Sequence, residues 1–353
     1  MSERSDFVKG DHVFIKLINL KDEDSTTLSK IFNENLKEAL PFATKEFVAN
    51  QVISTYNPNI DKSLILSPGT RVFISETMYD LSLFENIKNA KYDQFINYIM
   101  SGGTFKEFSY INNMKIKTVL IISVTLDGSF YDFLTKKSRD EEEISNALIH
   151  ISYLYHMLTK NFNMVHGDPK PHNYTWKKLD NPININYDFG GTIIERKNVK
   201  HLFYLTDLEF VYSPFRIDVF VSENNYIKVE FDDKYQKNVD LLEDVIYVPM
   251  ISSKGKYTYN RGLYRGYNEN IPPNESKDVR FPRIFTIDLL TLIKGFLTYS
   301  TYLSKTPTNL IRKYNMYFTK YQALAKEELD KQKRGHVDYS KVSPVEIALL
   351  FES

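Results

Sequence analysis

Cysteine is missing from all 353 residues. That excludes disulfides, thiolate metal sites and a cysteine nucleophile, and it fits a reducing compartment such as the cytoplasm. Net charge is missing too, because 45 basic side chains face 45 acidic ones. No global field therefore draws the chain to nucleic acid or to a membrane surface. Long apolar runs are also lacking. A run such as "VLIISV" is far too short to span a bilayer, and the opening "MSERSDFVKGDH" has no apolar core like that of a secretory signal. No internal repeat or low-complexity linker divides the chain. What is present is a globular balance, 42% hydrophobic and 25% charged, in a length that suits one large domain or two lobes.

"HVFIKLINL" is rich in β-branched and aromatic residues and predicts a strand. Residues 25 to 56 predict helix, broken near Pro41. "RVFISETM" predicts a second strand, "DLSLFENIKNAKYDQFINYIM" has helical spacing, and "KTVLIISVTL" reads as a buried strand. "DGSFYDFLTKK" predicts a turn and a short helix. From Glu141 to Asn161, Ile144, Leu148, Ile151, Tyr155 and Leu158 share one face of an amphipathic helix. The loop "NMVHGDPKPHN" follows, then strand-like pieces to about residue 230 and a polar, Gly- and Tyr-rich region to about 280. "FTIDLLTLIKGFLTYS" predicts a buried helix, and a long helix beyond it ends at Gly335. In "SPVEIALLFE", Ser343 and Glu346 have capping-box spacing, with Pro344 at the first turn. Strands with helices, then mostly helices, make this an α+β chain.

The chemistry concentrates in "VHGDPKPHN". Phosphoryl transfer needs a carboxylate to orient the attacking hydroxyl, a cation to offset developing charge, and an oxygen ligand for Mg²⁺. Asp168, Lys170 and Asn173 offer those three on one short loop, at the Asp-x-Lys-x-x-Asn spacing of the kinase catalytic loop. Here the chain resembles the protein kinase superfamily, and in particular kinase-like proteins of large cytoplasmic DNA viruses. The resemblance implies a bilobal fold: a small β-rich N-lobe over residues 1–124 and a larger, mainly helical C-lobe over 125–353. It implies ATP and Mg²⁺ as cofactors and a protein serine or threonine as acceptor, in the host cytoplasm or the virion. Lys16 in "VFIK" would hold the α- and β-phosphates. Backbone groups near Ser123, Val124 and Thr125 would face the adenine. His166 would be structural, and Asp288 in "FTIDLLTLIKGFL" would brace the catalytic loop. Glu46 is the chosen partner for Lys16, with Glu34 and Glu38 as alternatives on the same acidic, helical stretch.

Two aspartates compete for the metal. "INYDFGG" contains a literal Asp-Phe-Gly at Asp188, 15 residues past Asn173; "YLTDLEFV" has only the rhythm, at Asp207, 34 past it. Strand phase favours Asp207. Leu205, two residues before it, is apolar and suits a core-facing position, whereas Asn186 before Asp188 does not. The glycines after Asp188 suit a turn. An inserted hairpin, "NYTWKKL" out and "HLFYLTD" back, accounts for the distance. Glu209 then takes the place of the motif glycine, either near the metal or capping a turn.

Three departures qualify the resemblance. Before Lys16 only Gly10 is available for a glycine-rich phosphate loop. Gly167 stands where many regulated kinases carry an arginine that binds an activation-loop phosphate. No Ala-Pro-Glu-like segment precedes Asp288. Lys254, Lys256, Arg261 and Arg265 interleave with tyrosines, a pattern shared by nucleic-acid patches and exposed hairpins; the neutral chain favours the hairpin. The competing functions are an inactive pseudokinase that binds or regulates, and a small-molecule kinase. Lys170 favours protein acceptors over small molecules.

Overall fold

The computed structural model describes residues 13–34, 40–55, 70–87, 90–108, 114–135, 139–213, 216–222, 225–231, 249–251, 257–259, 292 and 344–349. Glu38, Asp288, the basic residues Lys254, Lys256, Arg261 and Arg265, and nearly all of the helices expected after residue 280 lie outside them. The chain is α+β, and it divides into two compact units. One takes in Met1–Asp127, Phe162–Met164 and Tyr204–Asp232; the other takes in Gly128–Asn161, Val165–Phe203 and Asp233–Ser353.

The first unit is built on an antiparallel sheet. Strands β1 (Val13–Asn19), β2 (Thr70–Ser75), β3 (Lys106–Glu107) and β4 (Thr118–Val124) lie in the order β1-β4-β2-β3. The central strand, β4, is buried along its whole length, which is why "TVLIISV" carries no polar face. Alternation assigns the two faces. Leu120, Ile122 and Val124 join Val13, Ile15 and Leu17 against a 3-10 turn (Leu81–Ile87) and helix α3 (Tyr92–Ser101), through Phe84, Tyr92, Phe95, Ile96 and Ile99. Lys16 points to the opposite face, paired across the ladder with Ile121.

Helix α1 (Asp22–Glu34) opens with three acidic residues, which suit the positive end of a helix. Helix α2 (Phe42–Thr55) starts just past Pro41, whose carbonyl accepts from the Thr44 hydroxyl and N–H. The rings of Phe32 and Phe47 meet Phe108 edge-on. Beyond residue 204 the unit adds a hairpin of β8 (Arg216–Ser222) and β9 (Asn225–Glu230), tied to the start of α2 where the Leu40 N–H donates to the Glu230 carbonyl.

The second unit has a short strand, β5 (Gly128–Ser129), then helices α4 (Phe130–Thr135) and α5 (Glu141–Phe162). Long strands β6 (Tyr174–Asp188) and β7 (Ile193–Leu205) complete the sheet in the order β5-β6-β7. Four residues join β6 to β7, a link that only an antiparallel hairpin allows. Ile185 and Tyr187 are buried while Asn186 and Asp188 are exposed. In β7 the buried phase runs through Val199, His201, Phe203 and Leu205 but through Ile194 before them. The change falls at Asn198, a left-handed residue (φ 55°), as an extra residue in a strand produces. A small hairpin of β10 (Pro249–Ile251) and β11 (Tyr257–Tyr259), and helix α6 (Pro344–Leu349), complete the described elements.

The hairpin is bolted to α5 by one buried histidine. His150 Nε2 lies 3.1 Å from the Phe203 carbonyl, and Nδ1 lies 3.0 Å from the Tyr187 hydroxyl. A carbonyl only accepts, so Nε2 carries the proton and Nδ1 accepts from the tyrosine. The imidazole is therefore neutral and fully satisfied. Burial lowers its pKa from 6.5 to about 4, against a smaller opposing effect of the Phe203 carbonyl. The unfolded chain binds a proton between those values that the native state does not, so stability falls as pH drops from 6.5 toward 4. We expect an acid-induced loss on the order of 3 kcal/mol across that window in urea titrations. His150→Phe should flatten the slope while removing about 2 kcal/mol at pH 7.

Candidate functional site

In the first unit, β1 and α2 bring together side chains far apart in the sequence. Lys16 Nζ lies 2.5 Å from Glu46 Oε2 and 3.5 Å from Asp207 Oδ1. The Glu46 side chain is 8% exposed and that of Lys16 is 35% exposed, so the carboxylate is sheltered and the amine reaches the surface. Glu34, the alternative partner, is exposed at the end of α1. Asp207 follows β7 and precedes a single 3-10 turn, Leu208–Phe210. Its backbone is left-handed (φ 59°, ψ 61°). Leu205 and Leu208 are both fully buried, and the tight reversal between them keeps both inside. A short polar side chain tolerates that conformation better than most, at about 1 kcal/mol.

Glu209 joins this group. A carboxylate oxygen from each of Glu46, Asp207 and Glu209 lies within 4.8 Å of the other two. Burial acts most strongly on Lys16 and opposes its charge, but Glu46, by charge and hydrogen bond, with Asp207 and Glu209 outweighs it and raises the amine's pKa. Burial also raises Glu46 above the ordinary carboxylate range. Lys16 opposes that shift, and Asp207 and Glu209 reinforce it. The carboxylates outweigh burial at Lys16, whereas burial is the largest influence at Glu46. Hard oxygen donors suit Mg²⁺, so these three carboxylates fit a divalent cation in chemistry.

In the second unit the loop after α5 shapes one carboxylate. His166 is fully buried, and its Nδ1 accepts the Asp168 N–H at 3.3 Å. Gly167 is left-handed (φ 80°), a conformation in which the arginine of regulated kinases would be strained. Asp168 Oδ2 accepts from Lys170 Nζ at 2.5 Å and from Asn173 Nδ2 at 2.9 Å. The Asn173 amide also donates to the Asp168 carbonyl at 2.9 Å. A 3-10 turn, Pro171–Asn173, closes the loop through the Asn173 N–H and the Lys170 carbonyl. Two donors on one oxygen fix the carboxylate plane and leave Oδ1 without a hydrogen bond among the described residues.

An aromatic pair flanks this loop. Tyr131 on α4 and His172 stack with centroids 4.4 Å apart and planes 18° apart. The six-residue helix α4 is held by a reciprocal cap. The Ser129 N–H donates to Asp132 Oδ2, and the Asp132 N–H donates to Ser129 Oγ, both at 3.1 Å. Ser129 is itself placed by the pairing of β5 with Thr175 and Trp176. The cap was legible as Ser-x-x-Asp in "SFYD". The stack, between residues 41 apart, had no signal in the sequence.

Asp188 lies at the hairpin tip. Its Oδ1 accepts from the N–H groups of Gly190 and Gly191 at 2.8 and 2.9 Å. Those bonds, Gly191 first, lower its pKa. Ser123 and Val124 sit at the end of β4, opposite Phe14 and Val13, and Thr125 follows exposed.

No family model matches the chain, and no curated protein matches it in sequence. Among solved structures it is similar to a Plasmodium kinase domain at 13% identity, covering 97% of this chain and 87% of that one, with a TM-score of 0.34. At that score the likeness carries no weight in the function proposed below.

The seat of α4 gives a test. A Cβ on Gly128 (φ +156°) would come within 3.2 Å of Asp132 and of Trp176 Nε1. A Cβ on Gly103 (φ +66°) would meet nothing within 4 Å. Gly128→Ala should therefore destabilise by about 2 kcal/mol or more, and Gly103→Ala by about 1 kcal/mol, in urea melts with unchanged slope.

Proposed function

We propose that this chain is a Mg-ATP-dependent phosphotransferase with a kinase-like site, acting on a protein hydroxyl. The observation that carries it is the meeting of Lys16, Glu46 and Asp207, from positions 16, 46 and 207, around one amine. Three side chains this distant do not converge by local sequence. Their types are those a nucleotide triphosphate with its metal requires.

Bound Mg-ATP would supply the phosphoryl group and the charge that polarises it. Lys16 would hold the α- and β-phosphates, with Glu46 keeping its amine extended. Asp207 would be a metal-binding residue of the first unit, and Asn173 one of the second. Asp168 would orient the acceptor hydroxyl at Oδ1 and take its proton late, while Lys170 offsets charge on the transferred group. Such catalysis rests on positioning and electrostatics. A kinase-shaped binding module is the second possibility, favoured by Glu209, whose carboxylate stands where the family's motif has glycine.

Transfer of γ-phosphate to generic protein acceptors, with a Mg-ATP thermal shift in parallel, separates the two. The wild type should shift and transfer. Asp168→Asn should lose at least about a hundredfold in rate. Asp207→Ala should abolish Mg²⁺-dependent transfer, and Asp188→Ala should stay within about twofold, as for a surface turn. Absence of both shift and transfer in the wild type sinks the enzyme, a shift without transfer selects the binding module, and loss of activity in Asp188→Ala alone moves the metal to the hairpin tip.

A further inference from the structure

The Tyr131–His172 stack has no part in the chemistry above, and neither ring belongs to the apolar cluster on the first unit's sheet. His172 is exposed and Tyr131 half-buried. Both rings are immobilised from below: His172 rides on the 3-10 turn that ends in Asn173, and Tyr131 rides on the capped helix α4. The result is a flat, rigid, partly exposed surface carried by the same loop as Asp168.

The charges around it are already committed. Asp132 caps α4 through Ser129, and Asp168 Oδ2 holds Lys170 and Asn173. A lysine or arginine arriving there would find carboxylates engaged and the Lys170 amine opposing it. A planar uncharged group would gain a stacking surface with little ordering cost.

We propose that the Tyr131–His172 stack is the shelf on which a polypeptide acceptor lays an aromatic or other planar uncharged side chain beside its reacting hydroxyl. This rests on the phosphotransferase function proposed above and names its acceptor class. The pair is a specificity determinant and takes no part in bond making.

A positional peptide library of serine and threonine acceptors, phosphorylated by the full chain with Mg-ATP, tests it. The wild type should enrich an aromatic residue at one position near the acceptor. His172→Ala and Tyr131→Ala should each flatten that enrichment, raising KM for the best peptide about fivefold with a smaller change in kcat. His172→Phe should retain it, which guards against a merely structural loss. His172→Glu should turn the preference toward lysine and arginine. A wild type that transfers without aromatic preference, or alanine variants that keep the preference, overturns the shelf alone. A wild type that transfers to no acceptor in the library overturns the phosphotransferase function and the shelf with it.

Discussion

A sheltered carboxylate cannot remain charged without a cation beside it, and Glu46 has one in Lys16. That requirement organises the first unit. It demands that α2 lie on the face of the sheet opposite α3, because β1 sends Lys16 there and its apolar neighbours the other way. It also explains why the turn after β7 can present Asp207 and Glu209 to the same amine. One lysine beside three carboxylates is more than a simple ion pair. It is a cluster of hard oxygen donors, and that gives the cluster its chemical character.

In the second unit the corresponding constraint is geometric. Asp168 is held by neighbours two and five residues away, so a short loop fixes its own carboxylate. The surrounding structure serves to hold that loop still. His166 is packed beneath it, Tyr174 follows it into β6 fully buried, and the β5–β6 pairing seats α4 alongside. Farther out, His150 pins the long hairpin to α5 with both ring nitrogens engaged, which makes the hairpin a rigid part of the unit despite its exposed tip.

The literal Asp-Phe-Gly shows how a motif and its setting can part. Its aspartate accepts two backbone N–H groups from the glycines that follow, the usual work of an aspartate at a turn. The less literal Asp207 is left-handed, flanked by buried leucines, and 3.5 Å from a lysine 191 residues away. Similar letters therefore stand in dissimilar physical surroundings.

Much of this was legible in the chain. Alternation in "HVFIKLINL" placed Lys16 on the face away from Ile15 and Leu17, and the phase of "HLFYL" against "ININY" set Leu205 toward the core and Asn186 away from it. These are local properties, set by periods of two residues in strands. The stretch at Leu81–Ile87, expected as helix, formed a 3-10 turn, a choice that helical spacing alone does not resolve. Glu46 was legible as the partner of Lys16; only the tertiary structure drew Glu209 into the carboxylate cluster and laid Tyr131 on His172. Each depends on where two distant segments meet, and the energy that decides it is burial of the rest of each segment, which no residue encodes alone.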